Sequence, residues 1–519
     1  MSFLRGVGMG SRELVLAVLS GLLLVLAFPY FSFSFMVWFA LIPFLWLIYE
    51  STPSRSFLYG LVVGFVFFGG LTYWLLVLVR FYGFLGFLAW LLPVLLEAVA
   101  FALFALGAAL MIRGCGSWER LFLLPAWWVS LEFLRSIGSW GFSWGVLGYS
   151  QQPNPFVLQM AKFSGVYGIS YLIVLVNIVS VELLLAYGEA RYPSPPPLAG
   201  RRLLFKQVGL VAGILLLILG GGCFGYLTTR VGGEPFKVAI VQPSIPQWEK
   251  LGAGKEEEIR GIYSRLTEEA VEFRPHLIVW PETAIPGDFS AEKAYLDDIS
   301  RLCGKEQCYL LLGSLFEEDG LHNSAFLLPA CNGGLERYDK IYPVPFGEYI
   351  PLDPLFGWIR GVAGLGEDIV PGEELTIFNI GQGAFGATIC FESTNSTLCR
   401  RLVERGARML IVITNDAWFE RTAAARQHVE MTALRAVENG VYVVQAANSG
   451  ISAIIDPRGC IFGETNLFER RILTGEVAFA EDLTFYARFG DVFSYICLIL
   501  AAGGFLICTP ARKIFKSLP

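Results

Sequence analysis

The segment HLIVWPE, residues 276–282, is a short apolar run that ends in a proline and a carboxylate. A run of this length, rich in β-branched and aromatic residues, predicts a buried strand that delivers Glu282 to the following loop. Comparable runs occupy residues 236–242, 308–316, 324–329, 375–380, 384–390, 408–414, 441–447 and 452–455. Charged stretches with helical periodicity lie between them at residues 254–274, 291–304 and 421–438. The alternation predicts an α/β layered domain over residues 231–488, large enough to form its own core.

The residues on either side of this domain are much more apolar. Of all 519 residues, 55% are hydrophobic and 16% are charged, whereas about 25% are charged in ordinary soluble proteins. Runs long enough to cross a bilayer as helices occur near residues 14–29, 33–49, 57–79, 85–112, 121–135, 160–187, 208–227 and 492–510. We therefore expect seven transmembrane helices in residues 1–230, and an eighth, followed by a cytoplasmic tail, in residues 489–519. This composition excludes a wholly soluble or disordered protein.

The basic loops indicate how these helices are oriented. Residues 1–230 contain 13 Lys and Arg against 7 Asp and Glu, while the rest of the chain is acidic. The basic loops fall on one side if eight helices alternate, which places both termini in the cytoplasm and residues 231–488 on the opposite side. An additional short span near residues 137–159 would invert this topology. Positive charge in the apolar half is typical of membrane anchoring, so no nucleic-acid partner is expected.

Three residues near the ends of predicted strands have the side chains that thiol chemistry needs. Glu282 follows one strand, Cys390 ends the run AFGATIC, and Lys340 lies between them in ERYDKIYPVPFGEYIP. A thiol has an ordinary pKa of about 8.5 and needs a base or a cation nearby to become a nucleophilic thiolate. Taken singly, each residue is more often structural than catalytic. Loops at strand ends can bring the three together above a sheet, which makes them a candidate active site.

The order and context of these residues are more specific than the residues alone. WPET (280–283), DK (339–340) followed by VPFGEY (344–349), and ICFE (389–392) resemble the Glu-Lys-Cys nitrilase, or carbon–nitrogen hydrolase, superfamily. Within it, PFGEYIP and the eight-span frame resemble the bacterial apolipoprotein N-acyltransferase family. Four further segments extend the resemblance over nearly the whole chain: residues 139–151, 241–247, 414–419 and 435–439.

The resemblance implies a polytopic α-helical membrane domain joined to a four-layer αββα sandwich, in a two-step acyltransferase. Cys390 would attack the sn-1 ester of a phospholipid, typically phosphatidylethanolamine, and form a thioester. The α-amino group of the diacylglyceryl cysteine of an apolipoprotein would then take the acyl chain. Glu282 would be the general base at both steps, and Lys340 with the backbone N–H of Phe391 would stabilise the oxyanion. The expected location is the bacterial inner membrane, with the catalytic domain facing the periplasm.

The same resemblance assigns supporting roles. Glu348 would orient Lys340 or the amine, and Glu392 would support the loop behind the nucleophile. The residue after the nucleophile is often Tyr in this family and is Phe391 here, which keeps an aromatic ring and loses a hydroxyl.

Substrate contacts are expected from two other places. Asn415 and Trp418 follow the strand that ends near Thr414 and would border the pocket. Trp358 lies in PLDPLFGWIRGVAGLG (351–366), which combines apolar residues with four glycines and suits a loop that contacts the bilayer and moves when lipid enters.

Several charged and sulfur-containing residues lie outside this constellation. Glu132 and Arg135 are spaced i,i+3 on one predicted helix and can pair there. Glu97 lies deep in a predicted span, where an unpaired carboxylate is costly, so it is expected to face the bundle or to be protonated. Cys303 and Cys308 could form a disulfide on the non-cytoplasmic side.

Two alternative interpretations stay open. One keeps the Glu-Lys-Cys chemistry with water as acceptor, which describes a membrane-tethered amidase or nitrilase. The other is a transporter or polytopic scaffold whose extracytoplasmic domain only binds a ligand. The sequence contains no Rossmann glycine fingerprint, P-loop or metal cluster, so neither a cofactor nor a metal is expected. The partners expected beyond the two substrates are membrane lipids, and the expected state is a monomer.

Overall fold

The computed structural model describes residues 9–187, 198–250, 254–285, 287–305, 307–329, 334–363 and 366–508. Some sequence expectations fall outside these residues. They include the basic loop residue Arg191, part of the glycine-rich loop (364–365) and the predicted cytoplasmic tail from residue 509 onward.

The N-terminal part of the chain is helical. Its helices are α1 (Ser11–Ala27), α2 (Val37–Ala40), α3 (Ile42–Glu50), α4 (Pro53–Leu71), α5 (Val79–Tyr82), α6 (Phe84–Gly114), α7 (Ser117–Ser136), α8 (Pro155–Leu158), α9 (Ala161–Tyr187) and α10 (Leu198–Thr228). Among the described helices, four are long and apolar enough to cross a membrane: α4, α6, and the stretches Ala161–Ala186 of α9 and Phe205–Thr228 of α10. These helices fit a membrane domain, while the number of eight spans stays a prediction.

Glycine allows two of these helices to pack closely. A Cβ atom on Gly60 would lie 2.5 Å from the Cα of Ala102, and one on Gly64 would lie 2.6 Å from the Cα of Ala98. The backbones of α4 and α6 therefore approach each other where their side chains are smallest, as is common between membrane helices.

The buried charges of the helical part pair differently from the sequence expectation. Arg135 forms its ion pair with Glu97 on α6, at 3.1 Å, and not with Glu132. Glu132 instead accepts a hydrogen bond from the backbone N–H of Leu147 at 2.9 Å. The i,i+3 pairing was wrong because the packing of α6 against α7 offers Arg135 a buried carboxylate. The expectation that Glu97 faces the bundle is confirmed, since its side chain is only 4% exposed.

We expect Arg135→Met to lower the free energy of unfolding by about 3–5 kcal/mol, because it leaves the Glu97 carboxylate buried without a cation. Thermal unfolding in detergent measures this effect. The double variant Glu97→Gln with Arg135→Met should recover part of the loss. Equal stability of the single and double variants would show that the pair is not coupled.

The large domain contains two six-stranded sheets. Their strands are β1 (Phe236–Gln242), β2 (Leu277–Val279), β3 (Tyr309–Glu317), β4 (Leu321–Leu328), β5 (Glu336–Asp339), β6 (Ile377–Asn379), β7 (Ala384–Ile389), β8 (Met409–Thr414), β9 (Tyr442–Ala447), β10 (Ala453–Ile455), β11 (Ile461–Glu464) and β12 (Arg471–Val477). The first sheet has the order β12-β1-β2-β3-β4-β5 and the second β11-β10-β9-β8-β7-β6. The central strands β1-β2-β3 and β7-β8-β9 are parallel.

Helices lie between and after these strands in the chain. They are α11 (Gln247–Lys250), α12 (Glu256–Val271), α13 (Lys293–Lys305), α14 (Asp353–Phe356), α15 (Trp358–Ala363), α16 (Ser396–Glu404), α17 (Ala424–Asn439), α18 (Phe485–Phe489) and, at the C-terminal side, the apolar α19 (Val492–Cys508). One apolar core lies between the sheets and includes Val279 and Ile389. A second core joins the first sheet to α12 and α13, and a third joins the second sheet to α16 and α17. This is the αββα order that the resemblance implied.

Cys303 and Cys308 are both buried, and the disulfide considered between them is absent in this structure. Their sulfurs lie in the core beneath the first sheet. Within the described residues, the disulfide joins Cys115 to Cys508.

The two parts of the chain share one apolar cluster. It contains Phe68 and Trp74 from the helical part and Met431 and Leu434 from α17 of the large domain. A buried polar residue of α17, Gln427, fixes the contact. Its side chain accepts hydrogen bonds from the indoles of Trp74 (3.0 Å) and Trp144 (2.9 Å) and donates to backbone carbonyls of the helical part.

Candidate active site

The three sequence-selected residues all lie at strand ends, and Lys340 directly follows β5. Glu282 follows β2 and Cys390 follows β7 directly. Both turns have a residue in the left-handed backbone region, Thr283 with φ 47° and Cys390 itself with φ 54°. A non-glycine residue there is strained, and such strain is common where a turn must present a functional side chain. The fold therefore turns Cys390 sharply out of its strand.

The Glu282 carboxylate is buried and held by three different elements. One oxygen, Oε1, accepts a hydrogen bond from Asn323 Nδ2 at 2.8 Å and lies 3.5 Å from Lys340 Nζ. The other oxygen, Oε2, accepts from the backbone N–H of Asn415 at 2.9 Å. Gly313 makes room for this turn, because a Cβ there would lie 2.7 Å from the Cα of Glu282.

Lys340 connects the two carboxylates of the site. Its ammonium lies 2.7 Å from Glu348 Oε1 and 3.5 Å from Glu282 Oε1, and its side chain is 1% exposed. Burial lowers the pKa of Lys340, but the neighbouring carboxylates of Glu348 and Glu282 outweigh it and raise the pKa above its ordinary value. Lys340 is therefore a fixed positive charge at neutral pH.

The Cys390 thiol faces both of these groups. Burial raises the pKa of Cys390, and the charge of Glu282 raises it further. The ammonium of Lys340 and a hydrogen bond from Thr414 act in the opposite direction. Because the net shift is upward, the resting residue is a thiol and needs a base to take its proton during attack.

Glu392 fixes the nucleophile turn to the lysine loop. Its buried carboxylate accepts from the Tyr338 hydroxyl at 2.9 Å and from the backbone N–H groups of Ile341 (2.7 Å), Tyr342 (3.1 Å) and Ile389 (2.8 Å). Burial raises the pKa of Glu392, and these donors partly oppose the shift. One side chain thus sets the distance between the turn at Cys390 and the strand end that carries Lys340.

We expect Glu392→Gln to slow the chemistry of Cys390 by about 10²-fold. The amide of Gln would place an N–H donor against one or more of these N–H and O–H donors, so the nucleophile turn and the lysine loop would move apart. The rate of covalent labelling of Cys390 by substrate measures the effect. Glu404→Gln, on the exposed end of α16, is the matched control and should retain the wild-type rate. Wild-type labelling by the Glu392 variant would contradict the positioning role.

Comparison with known proteins identifies the family. Residues 20–179 match the apolipoprotein N-acyltransferase N-terminal domain, and residues 237–481 match the carbon–nitrogen hydrolase domain. An apolipoprotein N-acyltransferase of Geobacter metallireducens is 40% identical over 504 residues, covering 95% of this chain and 94% of the relative. The chain belongs to the apolipoprotein N-acyltransferase family.

A second relative agrees with this assignment. An apolipoprotein N-acyltransferase of Nitrosomonas europaea is 30% identical over 520 residues, covering 97% of this chain and 99% of the relative. Among solved structures, an amidase from Nesterenkonia sp. aligns with a TM-score of 0.37 and 18% identity, covering 50% of this chain and 95% of the amidase.

For an apolipoprotein N-acyltransferase family member, the position of Phe391 is informative. Its ring stacks on Trp144, with centroids 5.7 Å apart and planes 6° from parallel, and lies 6.5 Å from the ring of Phe142. The aromatic packing expected after the nucleophile is therefore present without the hydroxyl. Phe391 also packs against the apolar cluster of the membrane helices.

The three residues expected to touch substrate lie in different surroundings. Asn415 uses its backbone to hold Glu282 and its side chain to bond Gln247 at 2.9 Å. Trp418 is half-buried and packs edge-on against Phe81 of the helical part, at 5.8 Å. Trp358 is 59% exposed on the short helix α15. Their contacts with substrate stay predictions.

Two residues near the carboxylates were missed at the sequence level. Asn323, on β4, donates to both Glu282 (2.8 Å) and Glu348 (3.1 Å). Its signal in the sequence was the polar triplet HNS (322–324) within an otherwise apolar strand. Lys250 donates to the backbone carbonyl of Thr283 at 3.0 Å. Burial lowers the pKa of Lys250 to about 8, against the opposing charge of Glu282.

A buried hydrogen-bond chain supports the nucleophile from behind. The Ser393 hydroxyl lies 3.2 Å from the Cys390 carbonyl oxygen and 2.7 Å from His428 Nε2. His428 Nδ1 lies 3.2 Å from Asp416 Oδ1. Among the residues the structure describes, no group of three or more His, Cys, Asp or Glu side chains is arranged to hold a metal ion.

Proposed function

We propose that this protein transfers an acyl chain from a phospholipid to the α-amino group of the diacylglyceryl cysteine of an apolipoprotein, through a thioester on Cys390. Its membership of the apolipoprotein N-acyltransferase family supports the reaction class. The site geometry supports the route, because a thiol, a carboxylate and an ammonium converge at the strand ends.

In the first half-reaction, Glu282 takes the proton of the Cys390 thiol as the sulfur attacks the ester carbonyl of the lipid. A carbon–sulfur bond forms and the ester carbon–oxygen bond breaks. The proton on Glu282 passes to the departing oxygen, which leaves as the alcohol of a lysophospholipid. The acyl chain remains on Cys390 as a thioester.

In the second half-reaction, the amine of the acceptor attacks the thioester carbonyl. Glu282 takes a proton from the attacking nitrogen, the carbon–sulfur bond breaks, and the sulfur recovers its proton. At both stages the carbonyl oxygen becomes negative for a moment. Lys340, which stays protonated, and the backbone N–H of Phe391 stabilise that oxyanion.

The observation that carries the proposal is the continuity between the nucleophile turn and the membrane helices. Phe391 directly follows Cys390 and packs into the cluster that also contains Phe68 and Trp74 of the helical part. Phe419, after β8, packs edge-on against Trp74 at 4.6 Å. An acyl chain can therefore reach the thiol along apolar surface, which an enzyme for small soluble amides does not need.

We place this enzyme in the bacterial inner membrane as a monomer with eight spans and a periplasmic catalytic domain. Contact of the loop at residues 352–358 with the bilayer surface is supported by its apolar side chains, since Leu352, Leu355 and Trp358 are all more than half exposed. Movement of this loop when lipid enters belongs to the same proposal.

Product analysis tests the proposal. The full-length protein in detergent is mixed with phosphatidylethanolamine labelled in its sn-1 chain and a peptide that begins with diacylglyceryl cysteine. We expect lysophospholipid and N-acylated peptide in equal amounts, by mass spectrometry. A peptide with an acetylated α-amino group is the control and should stop the reaction after one equivalent of lysophospholipid. Release of ammonia from a soluble amide, without lysophospholipid, would instead establish an amidase.

A further inference from the structure

A cavity of about 650 Å³ lies where α10 meets the catalytic domain. Its volume is within the range of about 300–1,000 Å³ that is typical of small-molecule sites. Its walls are the start of α9, the C-terminal half of α10 and residues 478–484. Gly440 and Tyr442, at the start of β9, also line it.

This cavity is separate from the candidate active site. The catalytic groups follow the C-terminal ends of β2, β5 and β7, whereas Tyr442 begins β9, which runs parallel to β7 and β8, at the opposite end of these strands. A strand of this length extends over roughly 16 Å, at about 3.3 Å per residue. The acyl transfer proposed above therefore assigns no role to this cavity.

The apolar wall of the cavity lies on α10, the least buried of the four candidate spans. Leu217, Ile218, Gly221, Phe224 and Gly225 all line the cavity, and their spacing of three to four residues puts them on one helix face. Only 11% of the α10 span is buried within the protein, against 44–56% of the other three spans. Because the helix is otherwise surrounded by bilayer, the molecules with direct access to the cavity are membrane lipids.

Polar groups lie at the membrane boundary of the same cavity. Lys162, at the start of α9, donates to the hydroxyl of Thr229, and its ammonium has two further N–H donors. Arg230 and Glu481 also line the cavity. They form an ion pair with each other, in which Arg230 Nη1 lies 2.9 Å from Glu481 Oε2. Asp482 lines it too and has no ion-pair partner within the described part of the chain. The ammonium of Lys162 and the carboxylate of Asp482 are therefore the groups that can bind a ligand.

We propose that this cavity binds a zwitterionic phospholipid with a primary ammonium headgroup. An acyl chain lies against the Leu217–Gly225 face of α10, the phosphate accepts hydrogen bonds from Lys162, and the ammonium faces Asp482. The bound lipid fills the gap between α10 and the catalytic domain. It is a structural ligand and takes no part in the chemistry at Cys390.

Filling the cavity with a side chain tests the proposal. A Cβ on Gly221 or on Gly213 meets no atom within 4 Å, and of these two positions on α10 only Gly221 lines the cavity. In the full-length Cys390→Ala protein, stripped of lipid and mixed with phosphatidylethanolamine, Gly221→Trp should retain one tightly bound lipid fewer in native mass spectrometry. Gly213→Trp should retain the same number as the parent.

The headgroup contacts have their own test. Lys162→Met should weaken binding of phosphatidylethanolamine at this site about tenfold, while Lys206→Met, at the other end of α10, should leave it unchanged. The parent protein should prefer phosphatidylethanolamine over phosphatidylglycerol.

Three results would overturn the proposal. They are equal lipid retention by Gly221→Trp and Gly213→Trp, stronger retention of phosphatidylglycerol, or a cavity covered by a second copy of the chain in a stable dimer. With Cys390 restored, Gly221→Trp should still form the acyl adduct at the parent rate. This result separates loss of the structural lipid from loss of the proposed acyl-donor site.

Discussion

Replacing Cys390 with alanine is expected to abolish transfer of the acyl chain, with a rate at least on the order of 10⁴-fold below that of the unchanged enzyme. The reason is chemical, since a methyl group cannot attack an ester and no other thiol faces the Glu282 and Lys340 side chains within the described residues. Intact mass after mixing with phosphatidylethanolamine should show one added acyl group on the unchanged protein and none on the variant.

Cys223→Ala is the matched control for this experiment, because Cys223 is also free and half-buried but lies on α10. It should form the adduct at the normal rate. An adduct on a folded Cys390→Ala protein would show that another residue is the nucleophile. A peptide map of the adduct would then identify the residue that carries it.

The strands that deliver Glu282 and Cys390 could be predicted because each is a local apolar run. Residues 236–242 and 408–414 likewise coincide with β1 and β8 to within one residue. β5, β11 and β12 were missed because they are edge strands with partly exposed positions and no continuous apolar run. Burial of a strand on both faces is therefore what made it visible in the sequence.

The residues of the candidate site also fall into those that the sequence could predict and those that it could not. Glu282, Lys340 and Cys390 could be selected because a base, a cation and a thiol form a known chemical set. Asn323 could not, since its amide acquires a role only when β4 lies beside the turn after β2 and the lysine loop. The pairing of Glu97 with Arg135 likewise depends on how two helices pack, which residue spacing along one helix does not determine.

Lys340→Met is expected to reduce the rate of acylation by about 10²–10³-fold, because it removes a fixed positive charge from the oxyanion site. It also leaves the carboxylates of Glu282 and Glu348 with Asn323 as their shared donor. Single-turnover lysophospholipid release measures the rate. Lys255→Met, which breaks an exposed ion pair with Glu258 on the surface, is the control and should have no effect.

A second measurement distinguishes the electrostatic role of Lys340 from a general loss of structure in the variant. The ammonium of Lys340 lowers the pKa of Cys390 against the larger upward effect of burial. Removing the charge should therefore raise the pKa of the thiol further, so that alkylation of Cys390 by iodoacetamide requires a higher pH in Lys340→Met than in the unchanged protein. Alkylation that follows the same pH curve in both proteins would mean that Lys340 does not act on the nucleophile. A shifted curve together with an unchanged melting temperature would place the effect on the chemistry itself.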